Sequence, residues 1–356
     1  MDFQQILRGS KTVLDGELEH QFDTLIVRAK KESPLVESAL LQTKKIALAG
    51  GKRIRGILLQ QAYFGVGGME KRKILKVAVA IELLHLFFLI HDDLIDRGKL
   101  RHGQKTLQNF FTAKESSKET ILEAEHFGNS VALIVGDLLF AQANRIILEA
   151  GFEASRTLAA LTFFQEMVAL TIAGQAQDIA IEKAKRASEQ AVLAMYENKT
   201  ARYTFQMPLQ LGAILAGTAD KKTQPLFEAY SLALGVAFQL QDDLLGIFSQ
   251  KAKIGKSTVS DIEEGKLSLM VVFAKDEASS ADRKKLNEIL GKRNLSQKEI
   301  QVFKDLLIKT GAKATTQKLA QAYFLKGKRV VEKSELNQSL KTFLTELAQY
   351  LEKRES

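Results

Sequence analysis

Three residue types that direct chains toward other classes of protein are absent or scarce. The 356 residues include no cysteine and no tryptophan, and proline occurs only at Pro34, Pro208 and Pro225. Without cysteine the chain forms no disulfide and no cysteine-based metal or nucleophile site, so we expect it in the reducing cytoplasm. Long segments without proline can remain helical, because proline removes a backbone donor and clashes with the preceding turn.

The sequence also has no long uncharged apolar run. Its N-terminus is polar and charged from Asp2 onward rather than basic and then apolar, so we expect no signal peptide. The most apolar stretch, 77–90, contains Glu82 and His85 and is shorter than the roughly 20 apolar residues that span a bilayer. We interpret it as a buried helix and predict no transmembrane segment.

Positive charge is in excess but dispersed. The 51 Lys and Arg residues against 42 Asp and Glu give a net charge of +9, which suits nucleic acid, anionic membranes or phosphorylated small molecules. The basic residues lie among acidic ones, and no basic cluster interleaved with aromatic residues is present. We therefore predict no nucleic-acid partner.

Apolar residues recur at helical rather than alternating spacing along the chain. The spacing predicts helices roughly at residues 1–30, 35–49, 53–66, 71–97, 118–151, 153–182, 186–218, 224–249, 260–275, 281–291, 297–311, 313–333 and 337–353. No repeat and no long Gly/Pro/Ser linker divides the sequence. The sequence therefore predicts an all-α fold with residues 1–356 in a single domain.

An acidic cluster, His91-Asp92-Asp93-Leu94-Ile95-Asp96, follows the apolar stretch. Residues four apart differ by about 40° around a helix, so Asp92 and Asp96 project from one face. Their like charges repel beside a buried segment, and a cation is the natural compensation. Carboxylates that leave coordination positions open for phosphate oxygens are typical of Mg²⁺ sites. The alternative is an exposed acidic helix end, which this motif alone does not exclude.

A basic segment, Gly50-Gly51-Lys52-Arg53-Ile54-Arg55-Gly56, lies between two predicted helices. A helix N-terminus offers N–H groups and a positive dipole end, to which Lys52 and Arg55 add charged donors. The segment lacks the spacing of a P-loop, so it favours an anion cradle other than a nucleotide site. The alternative is a glycine cap followed by a solvated basic turn.

A second acidic pair, Asp242-Asp243, ends another apolar helix and is preceded by Gln239. Downstream lie Gly255-Lys256 and then Asp261, Glu264, Gly265 and Lys266. If both acidic helix ends face one cavity between antiparallel helices, they can hold Mg²⁺ ions that bridge a diphosphate.

In this order the motifs resemble the trans-polyprenyl diphosphate synthase family, which includes farnesyl and geranylgeranyl diphosphate synthases. The series runs from about Gly50 to about Leu269 and reads GGKRIRG, ELLHLFFLIHDDLID, a downstream Arg and HG, GD, a Lys-Thr pair, FQLQDD, GK and EGK. The resemblance implies a helical bundle of the isoprenoid synthase type with a central active-site cavity, its motifs at about 50–270. It also implies a homodimer that condenses isopentenyl diphosphate with an allylic diphosphate.

The resemblance further implies roles for single residues. Asp92 and Asp96 would hold Mg²⁺ with Asp93 in support, and Asp242 would reach a further ion, with three ions per active site. The other catalytic positions implied are Arg101, Lys199, Thr200, Gln239, Asp243 and Lys256. The positions implied for isopentenyl diphosphate are Lys52, Arg55, His85 and His102, and Lys266 is a further diphosphate contact. Helical geometry agrees for His85, seven residues before Asp92.

Two residues depart from the family pattern. Gly246 stands where the second acidic motif usually ends in Asp, and His102 stands where a second Arg is frequent. Because Asp242, Asp243 and the downstream Gly-Lys and Glu-Gly-Lys segments remain, we predict that activity persists. The His102 contact is expected to be weaker or pH-dependent.

The implied reaction is ionisation to an allylic carbocation, attack by isopentenyl diphosphate, and proton loss, for which residues 249–260 are a candidate closing segment. Phe87 and Phe88 lie about one helical turn deeper than Asp92. In the family, bulky side chains there floor the pocket for the growing chain, which predicts a C15 or C20 product. The alternative for either phenylalanine is ordinary core packing.

Two other functions stay open. A non-catalytic regulatory subunit of a prenyl synthase is favoured only by Gly246, since a structural subunit has no need of repelling buried carboxylates. A class I terpene cyclase also uses DDxxD and Mg²⁺, but Lys52 and Arg55, as a cradle for a second diphosphate, favour condensation. A cyclase consumes an allylic diphosphate alone, whereas a synthase also requires isopentenyl diphosphate.

Overall fold

The structure is a computed structural model that describes residues 3–117, 119–249 and 260–354. Its helices are α1 (Phe3–Glu32), α2 (Pro34–Ala49), α3 (Ile54–Gly65), α4 (Lys71–Ile95), α5 (Leu107–Glu115), α6 (Ile121–Leu148), α7 (Ala154–Ala184), α8 (Glu189–Tyr196), a π-helix (Glu197–Gln206), α9 (Met207–Ala216), α10 (Thr223–Phe248), α11 (Ser260–Glu264), α12 (Leu269–Glu277), α13 (Ser280–Ile289), α14 (Gln297–Lys309), α15 (Ala312–Glu332) and α16 (Gln338–Glu352). Between α4 and α5, strands β1 (Leu100–Arg101) and β2 (Gln104–Lys105) form an antiparallel ribbon. The all-α fold predicted from the sequence is confirmed.

The described chain forms two compact units. The first comprises Met1–Phe64 and Gly68–Leu161, and in it α4 packs against α1 and α6 while α5 packs against α6. The second comprises Gly65–Gly67 and Thr162–Ser356, and in it α10 packs against the π-helix and α15. A single domain over residues 1–356 stays a prediction.

Helix α4 forms the centre of the first unit. Every residue from Val77 to Leu84 is buried, and each buried Leu or Ile contributes about 2 kcal/mol. The one charged residue in this run, Glu82, accepts a hydrogen bond at 2.9 Å from the backbone N–H of Gly56 and lies 3.8 Å from the guanidinium of Arg53. A buried carboxylate is tolerated here because it has both a donor and a counter-charge.

Three helices, α4, α6 and α7, are long and apolar enough to cross a membrane, judged by length and composition alone. The buried share of the most apolar window is 67% in α4, 44% in α6 and 39% in α7. Most of the apolar surface of α4 is therefore used inside the protein, as expected for a buried helix.

Differences from the predicted helices are local. The interval 98–117, for which apolar spacing predicted no helix, contains the ribbon and α5. The predicted helix at 186–218 contains the π-helix, and the predicted helix at 260–275 is interrupted after Glu264. The interruption has a backbone cause, because Gly265 adopts φ 81°, a left-handed conformation that ends a helix.

Candidate active site

The first acidic cluster lies at the C-terminal end of α4. The backbone N–H of Asp96 donates to the carbonyl of Asp92 at 2.8 Å, so helical geometry continues through Asp96. Asp92 and Asp96 therefore lie on one face one turn apart, and both are half-buried. Carboxylates at the negative end of a helix dipole gain nothing from the helix, so this end of α4 favours a bound cation.

Asp93 has different surroundings from its two neighbours. It is buried, and it accepts hydrogen bonds at 3.1 Å from Nε and at 2.5 Å from Nη2 of Arg101. Nη2 of Arg101 also lies 3.7 Å from Oδ2 of Asp92. Burial alone would lower the pKa of Arg101, but its hydrogen bonds and the charges of Asp93 and Asp92 raise it. Asp93 thus holds Arg101 beside the face that Asp92 and Asp96 share.

Arg101 belongs to the ribbon, whose turn is His102-Gly103. Leu100 pairs with Lys105 and Arg101 with Gln104, which leaves a two-residue loop with φ 50° at His102 and φ 75° at Gly103. Two positive φ values are the requirement of a type I′ turn, which follows the twist of the two strands. The His-Gly pair of the sequence motif is therefore a hairpin turn that directs Arg101 back toward α4.

Gln108, which the sequence analysis did not single out, fixes the ribbon and α5 to the end of α4. Its Nε2 donates to the carbonyl of Asp93 at 2.8 Å and to that of Gly98 at 2.9 Å. Thr106 adds a hydrogen bond from its hydroxyl to the same Gly98 carbonyl at 2.7 Å. The sequence does contain one indication of α5, because Leu107 and Phe111 are apolar residues four apart with polar residues between them.

The basic segment divides its three cations between two roles. Lys52 is exposed and Arg55 half-buried, whereas Arg53 is 5% exposed and pairs with Asp15 at 2.7 Å. Arg53 has φ 54°, a left-handed conformation that its ion pairs to Asp15 and Glu82 offset. One N–H group of the N-terminus of α3, that of Gly56, is already used by Glu82.

His85 lies close enough to several basic residues of the first unit for their charges to act on its pKa. Burial lowers the pKa of His85 well below its ordinary value, and the charges of Arg55, Arg101, Arg53 and His102 lower it further. Partial burial also lowers the pKa of His102, as do Arg101 and Arg53. The imidazole of His85 is therefore neutral at pH 7 amid positive charge, which is an arrangement suited to an anion.

Below the acidic face of α4 lies a cluster of aromatic rings. The ring centroid of Phe87 lies 5.0 Å from that of Phe88, 4.6 Å from that of His91 and 5.3 Å from that of Phe140 on α6. Phe87 is 7% exposed. Phe140 is a third large ring beside the predicted pair, and sequence spacing could not identify it because α6 meets α4 only in the folded chain.

In the second unit, Asp243 closes a chain of hydrogen bonds. Thr200 donates to Gln239 at 2.9 Å, Gln239 donates to Asp243 at 3.0 Å, and the hydroxyl of Tyr196 donates to the other Asp243 oxygen. Burial raises the pKa of Asp243 to about 7 against the hydrogen bonds from Tyr196 and Gln239, and the charges of Asp261 and Asp242 raise it further. The backbone N–H of Leu269 donates to the Tyr196 hydroxyl at 2.9 Å, which ties the chain to α12.

Lys199 is positioned by α7. Its Nζ lies 2.5 Å from Oδ2 of Asp178, which is 8% exposed. A Cβ placed on Gly174 would lie 2.3 Å from the backbone nitrogen of Lys199, so only glycine permits this approach of α7 to the π-helix. Asp178 was missed from the sequence, although Gln175, Gln177 and Asp178 form a polar run in an otherwise apolar helix.

Asp242 and Lys266 have charged neighbours. Oδ1 of Asp242 lies 2.9 Å from Nη1 of Arg354, whose guanidinium stacks 5.2 Å from the centroid of Phe238. Nζ of Lys266 lies 3.1 Å from Glu264 and 3.7 Å from Asp261. The predicted contact Lys256, with most of the segment 249–260, lies outside the described residues.

Comparison with known proteins identifies the family. Residues 37–307 match the sequence profile of the family described as Polyprenyl synthetase. The chain belongs to this family. The family, the isoprenoid synthase fold and the prenyltransferase class that the sequence predicted are thereby confirmed.

Two curated relatives and one solved structure show how far the likeness extends. The geranylgeranyl diphosphate synthase of Saccharolobus solfataricus is 31% identical over 263 residues, 73% of this chain and 74% of the relative. The short chain isoprenyl diphosphate synthase of Methanothermobacter thermautotrophicus is 32% identical over 269 residues, 75% of this chain and 77% of the relative. The crystal structure of a Corynebacterium glutamicum geranylgeranyl pyrophosphate synthase, complexed with isoprenyl diphosphate and magnesium, superimposes with a TM-score of 0.91 at 26% identity, covering 99% of this chain and 100% of that one.

The donor set of this polyprenyl synthetase fits Mg²⁺. Among the described residues no three His, Asp or Glu side chains are gathered as a ready-made metal cage. Mg²⁺ does not need such a cage, because it keeps several waters and is usually held by one or two carboxylates together with substrate phosphates. Asp92 and Asp96, one turn apart at the end of α4, provide such a pair, and Asp242 provides a single carboxylate.

Proposed function

We propose that this polyprenyl synthetase is a short-chain prenyl diphosphate synthase that joins isopentenyl diphosphate to an allylic diphosphate. The observation that supports it best is the pairing of two features on α4. Asp92 and Asp96 share a face at its end, and His85, two turns earlier, lies within electrostatic reach of Arg55, Arg101 and Arg53. The helix thus presents a metal-binding face and an anion-binding residue within one unit.

Lys52, Arg55, His85 and His102 are proposed to bind the diphosphate of isopentenyl diphosphate. Lys52 and Arg55 supply charged donors, and the neutral imidazole of His85 supplies an uncharged one that needs no counter-ion of its own. The close approach of Gly50 to the ring of His102, where a Cβ would lie 2.6 Å from Nδ1, places the hairpin turn beside the basic segment.

Asp92, Asp96 and Asp242 are proposed to hold Mg²⁺, three ions in all, with the allylic diphosphate. When bound, the metal supplies Lewis-acid stabilisation of the leaving diphosphate, worth several kcal/mol. Arg101 is aimed by Asp93 and Lys199 by Asp178, and each is proposed to bind diphosphate oxygens as their negative charge grows. Lys266 is a further proposed diphosphate contact, and Lys256 stays a prediction.

Thr200 and Gln239 are proposed to face the carbocation. Their oxygen atoms carry partial negative charge without being strong nucleophiles, so they can stabilise a cation without trapping it. Exclusion of water is equally necessary, since water would capture the same intermediate. Attack by the double bond of isopentenyl diphosphate and loss of one proton then complete the five-carbon extension.

The product is proposed to contain 15 or 20 carbons, with 20 favoured. Phe87, Phe88 and Phe140 would close the space into which the growing chain extends from Asp92. The names of the relatives at 30–31% identity support the longer of the two lengths, because several are called geranylgeranyl diphosphate synthases. A homodimer in the cytoplasm is the proposed state of the enzyme.

The test is incubation of the purified protein with isopentenyl diphosphate, Mg²⁺ and each of the C5, C10 and C15 allylic diphosphates. Chromatography of the products with and without EDTA would show a metal-dependent C20 or C15 product if the proposal is correct. Consumption of an allylic diphosphate without isopentenyl diphosphate would indicate a cyclase instead. Absence of any turnover by folded protein would favour the regulatory subunit, for which Gly246 is the supporting feature.

A further inference from the structure

Tyr196 is a buried tyrosine of the second unit that none of the sequence motifs contains. It is the last residue of α8, directly before the π-helix, and it is 2% exposed. A buried phenol usually has a hydrogen-bond partner for its hydroxyl. The Tyr196 hydroxyl has two, because it donates to Oδ2 of Asp243 and accepts from the backbone N–H of Leu269 at 2.9 Å. Its oxygen therefore joins α8, α10 and α12 at one point.

The bond to Asp243 has a defined direction. Burial raises the pKa of Tyr196 well above its ordinary value, and the charge and hydrogen bond of Asp243 raise it further. The hydroxyl therefore keeps its proton near neutral pH and is the donor. Gln239 donates to the other oxygen of Asp243, Oδ1, at 3.0 Å. Because both oxygens accept hydrogen bonds, the carboxylate of Asp243 is fixed next to Asp242, the proposed Mg²⁺ ligand on the same helix.

The bond to Leu269 fixes the start of α12. Leu269 is the first residue of this helix, and the preceding Ser268 makes no capping hydrogen bond within the described chain. A helix start leaves four N–H groups without partners in the helix, and Tyr196 supplies a partner for one of them. Lys266 lies three residues earlier and lines one small cavity together with Asp243. The bond thus restrains the segment that carries this proposed diphosphate contact.

Tyr196 is also connected to the site through the π-helix that follows it. Lys199 and Thr200 come three and four positions later, and the Thr200 hydroxyl donates to Gln239 at 2.9 Å. Gln239 donates to Asp243, and Asp243 accepts from the Tyr196 hydroxyl. The path from Tyr196 along the π-helix, across to α10 and back to Tyr196 is therefore closed. A closed path restrains each of its members from two sides.

We propose that Tyr196 is a positioning residue of the diphosphate site, which holds Asp243 and the segment bearing Lys266 in place before substrate binds. This inference rests on the proposed function, because it takes the second acidic pair and Lys266 as parts of the Mg²⁺-diphosphate site. Tyr196 acts through Asp243 and Leu269 rather than by contact with the diphosphate. Phenylalanine at this position would keep the packing of the ring and leave a buried donor and a buried acceptor without their shared partner.

Tyr196→Phe should weaken Mg²⁺-dependent binding of inorganic pyrophosphate by about tenfold, the lower end of what removal of a supporting metal-site residue costs. Isothermal titration calorimetry with pyrophosphate and Mg²⁺ measures this. Tyr230→Phe is the matched control, because the Tyr230 hydroxyl is also buried in the second unit and donates to the backbone carbonyl of Leu344 at 2.7 Å. Tyr230→Phe should bind pyrophosphate as the parent does.

Urea unfolding separates positioning from stability. Both variants should unfold at lower urea concentration than the parent, since each loses a buried hydrogen bond. Only Tyr196→Phe should also lose affinity for pyrophosphate. Parental binding in Tyr196→Phe would overturn the inference, and so would an equal loss of binding in Tyr230→Phe, because that loss would report a looser unit and not a positioned carboxylate.

A measurement on the unsubstituted protein does not depend on the folding of Tyr196→Phe. The chain has six tyrosines, so ¹³C labelling of the tyrosine Cζ atoms gives few NMR signals, which substitution of the other tyrosines in turn assigns. Saturation with Mg²⁺ and pyrophosphate should shift the signal of Tyr196 and leave that of Tyr230 in place. A Tyr196 signal that does not move would contradict a hydroxyl bonded to a carboxylate of the occupied site.

The outcomes separate this inference from the proposed function. Turnover by the parent protein together with parental pyrophosphate binding in Tyr196→Phe would refute the role of Tyr196 and leave the synthase intact. Loss of Mg²⁺-dependent binding in Tyr196→Phe alone would support the inference even if the parent protein makes no product.

Discussion

Arg101 uses two nitrogens of its guanidinium to bind both carboxylate oxygens of Asp93, at 3.1 Å and 2.5 Å. A guanidinium is planar and can form two parallel hydrogen bonds, whereas an ammonium group offers one point of charge. The pair is formed within the first unit between the end of α4 and the ribbon, so it fixes the direction of Arg101 before any substrate binds.

Arg101→Lys should therefore lower kcat/KM even though the charge is kept. Lysine cannot form the two parallel hydrogen bonds to Asp93, so its cation is poorly oriented. A hydrogen bond to a charged group contributes about 1.5–3 kcal/mol, so kcat/KM should fall by roughly ten- to hundredfold. Steady-state kinetics with the preferred allylic substrate measures this. Arg72→Lys, an exposed position near the start of α4, is the control, and an equal loss in both variants would contradict the argument.

Gly136→Ala should disturb the first acidic cluster from α6. An added Cβ would lie 2.4 Å from Nε2 of His91, the residue before Asp92, so the imidazole must move. We expect a loss of about 1–3 kcal/mol in the free energy of unfolding together with a higher Mg²⁺ requirement. Gly9→Ala on α1, where nothing lies within 4 Å, should instead be neutral or stabilising by up to about 1 kcal/mol. Urea unfolding distinguishes the two.

His85 should make stability fall as pH falls through the unfolded-state pKa of histidine. The folded-state pKa of His85 is lowered by burial and by Arg55, so below about pH 6.5 the unfolded chain binds a proton that the folded chain does not. That contribution to stability is present above about pH 6.5 and is lost below it, by at most roughly 1.4 kcal/mol per pH unit.

Urea unfolding of the parent protein and of His85→Asn between pH 5 and 8 tests this. The variant should show a shallower loss of stability toward acid, whereas His20→Asn, at an exposed position on α1, should follow the parent. A parallel pH dependence in the parent and in His85→Asn would mean that His85 titrates alike in the folded and unfolded chains.

Arg354→Ala should lower the Mg²⁺ concentration needed for half-maximal activity. In the structure the guanidinium of Arg354 already neutralises Asp242, at 2.9 Å, and so competes with a metal for the same carboxylate. The pair is partly exposed and worth roughly 0.5 kcal/mol, which corresponds to a change of about two- to threefold. Magnesium titrations of the parent, of Arg354→Ala and of the exposed α15 variant Arg329→Ala provide the comparison, and an increased requirement in Arg354→Ala would contradict competition.

Phe140→Leu should lengthen the product by at least one five-carbon unit. The substitution replaces a ring whose centroid lies 5.3 Å from that of Phe87 with a smaller side chain. It therefore opens the proposed floor of the chain pocket from the side of α6. Product chromatography reports the chain length directly. Phe127→Leu, which removes a ring of α6 that packs against Phe111 of α5, controls for a general loosening of the core.

Sequence periodicity predicted the site on α4 because the residues concerned lie within one helix and need no partner elsewhere in the chain. The distance of four residues from Asp92 to Asp96, and of seven from His85 to Asp92, becomes a shared face as soon as the segment is helical. Glycines at 50 and 51 ended α2 as predicted for the same reason, since their effect on the backbone needs no partner elsewhere in the chain.

The residues that the sequence did not reveal act across long separations. Asp178 meets Lys199 and Phe140 meets Phe87 only because helices pack side by side, which no pattern within either helix specifies. The π-helix was missed for a related reason. Its residues are ones that also form ordinary α-helices, so nothing in the segment itself marks the wider winding. The close approach of Gly174 to this segment exists only in the folded chain.

The hydrogen bonds that lead from Thr200 to Asp243 all point the same way. The Thr200 hydroxyl donates a hydrogen bond to Gln239, and the Gln239 amide donates one to Asp243. Each donor therefore points toward the carboxylate. What remains on the Thr200 hydroxyl is its lone pairs, which lie at the negative end of a row of aligned dipoles whose positive end points to Asp243. This row of side chains in the second unit is thereby polarised in one direction, and a carbocation passing Thr200 would meet oxygen lone pairs rather than a positively polarised hydrogen.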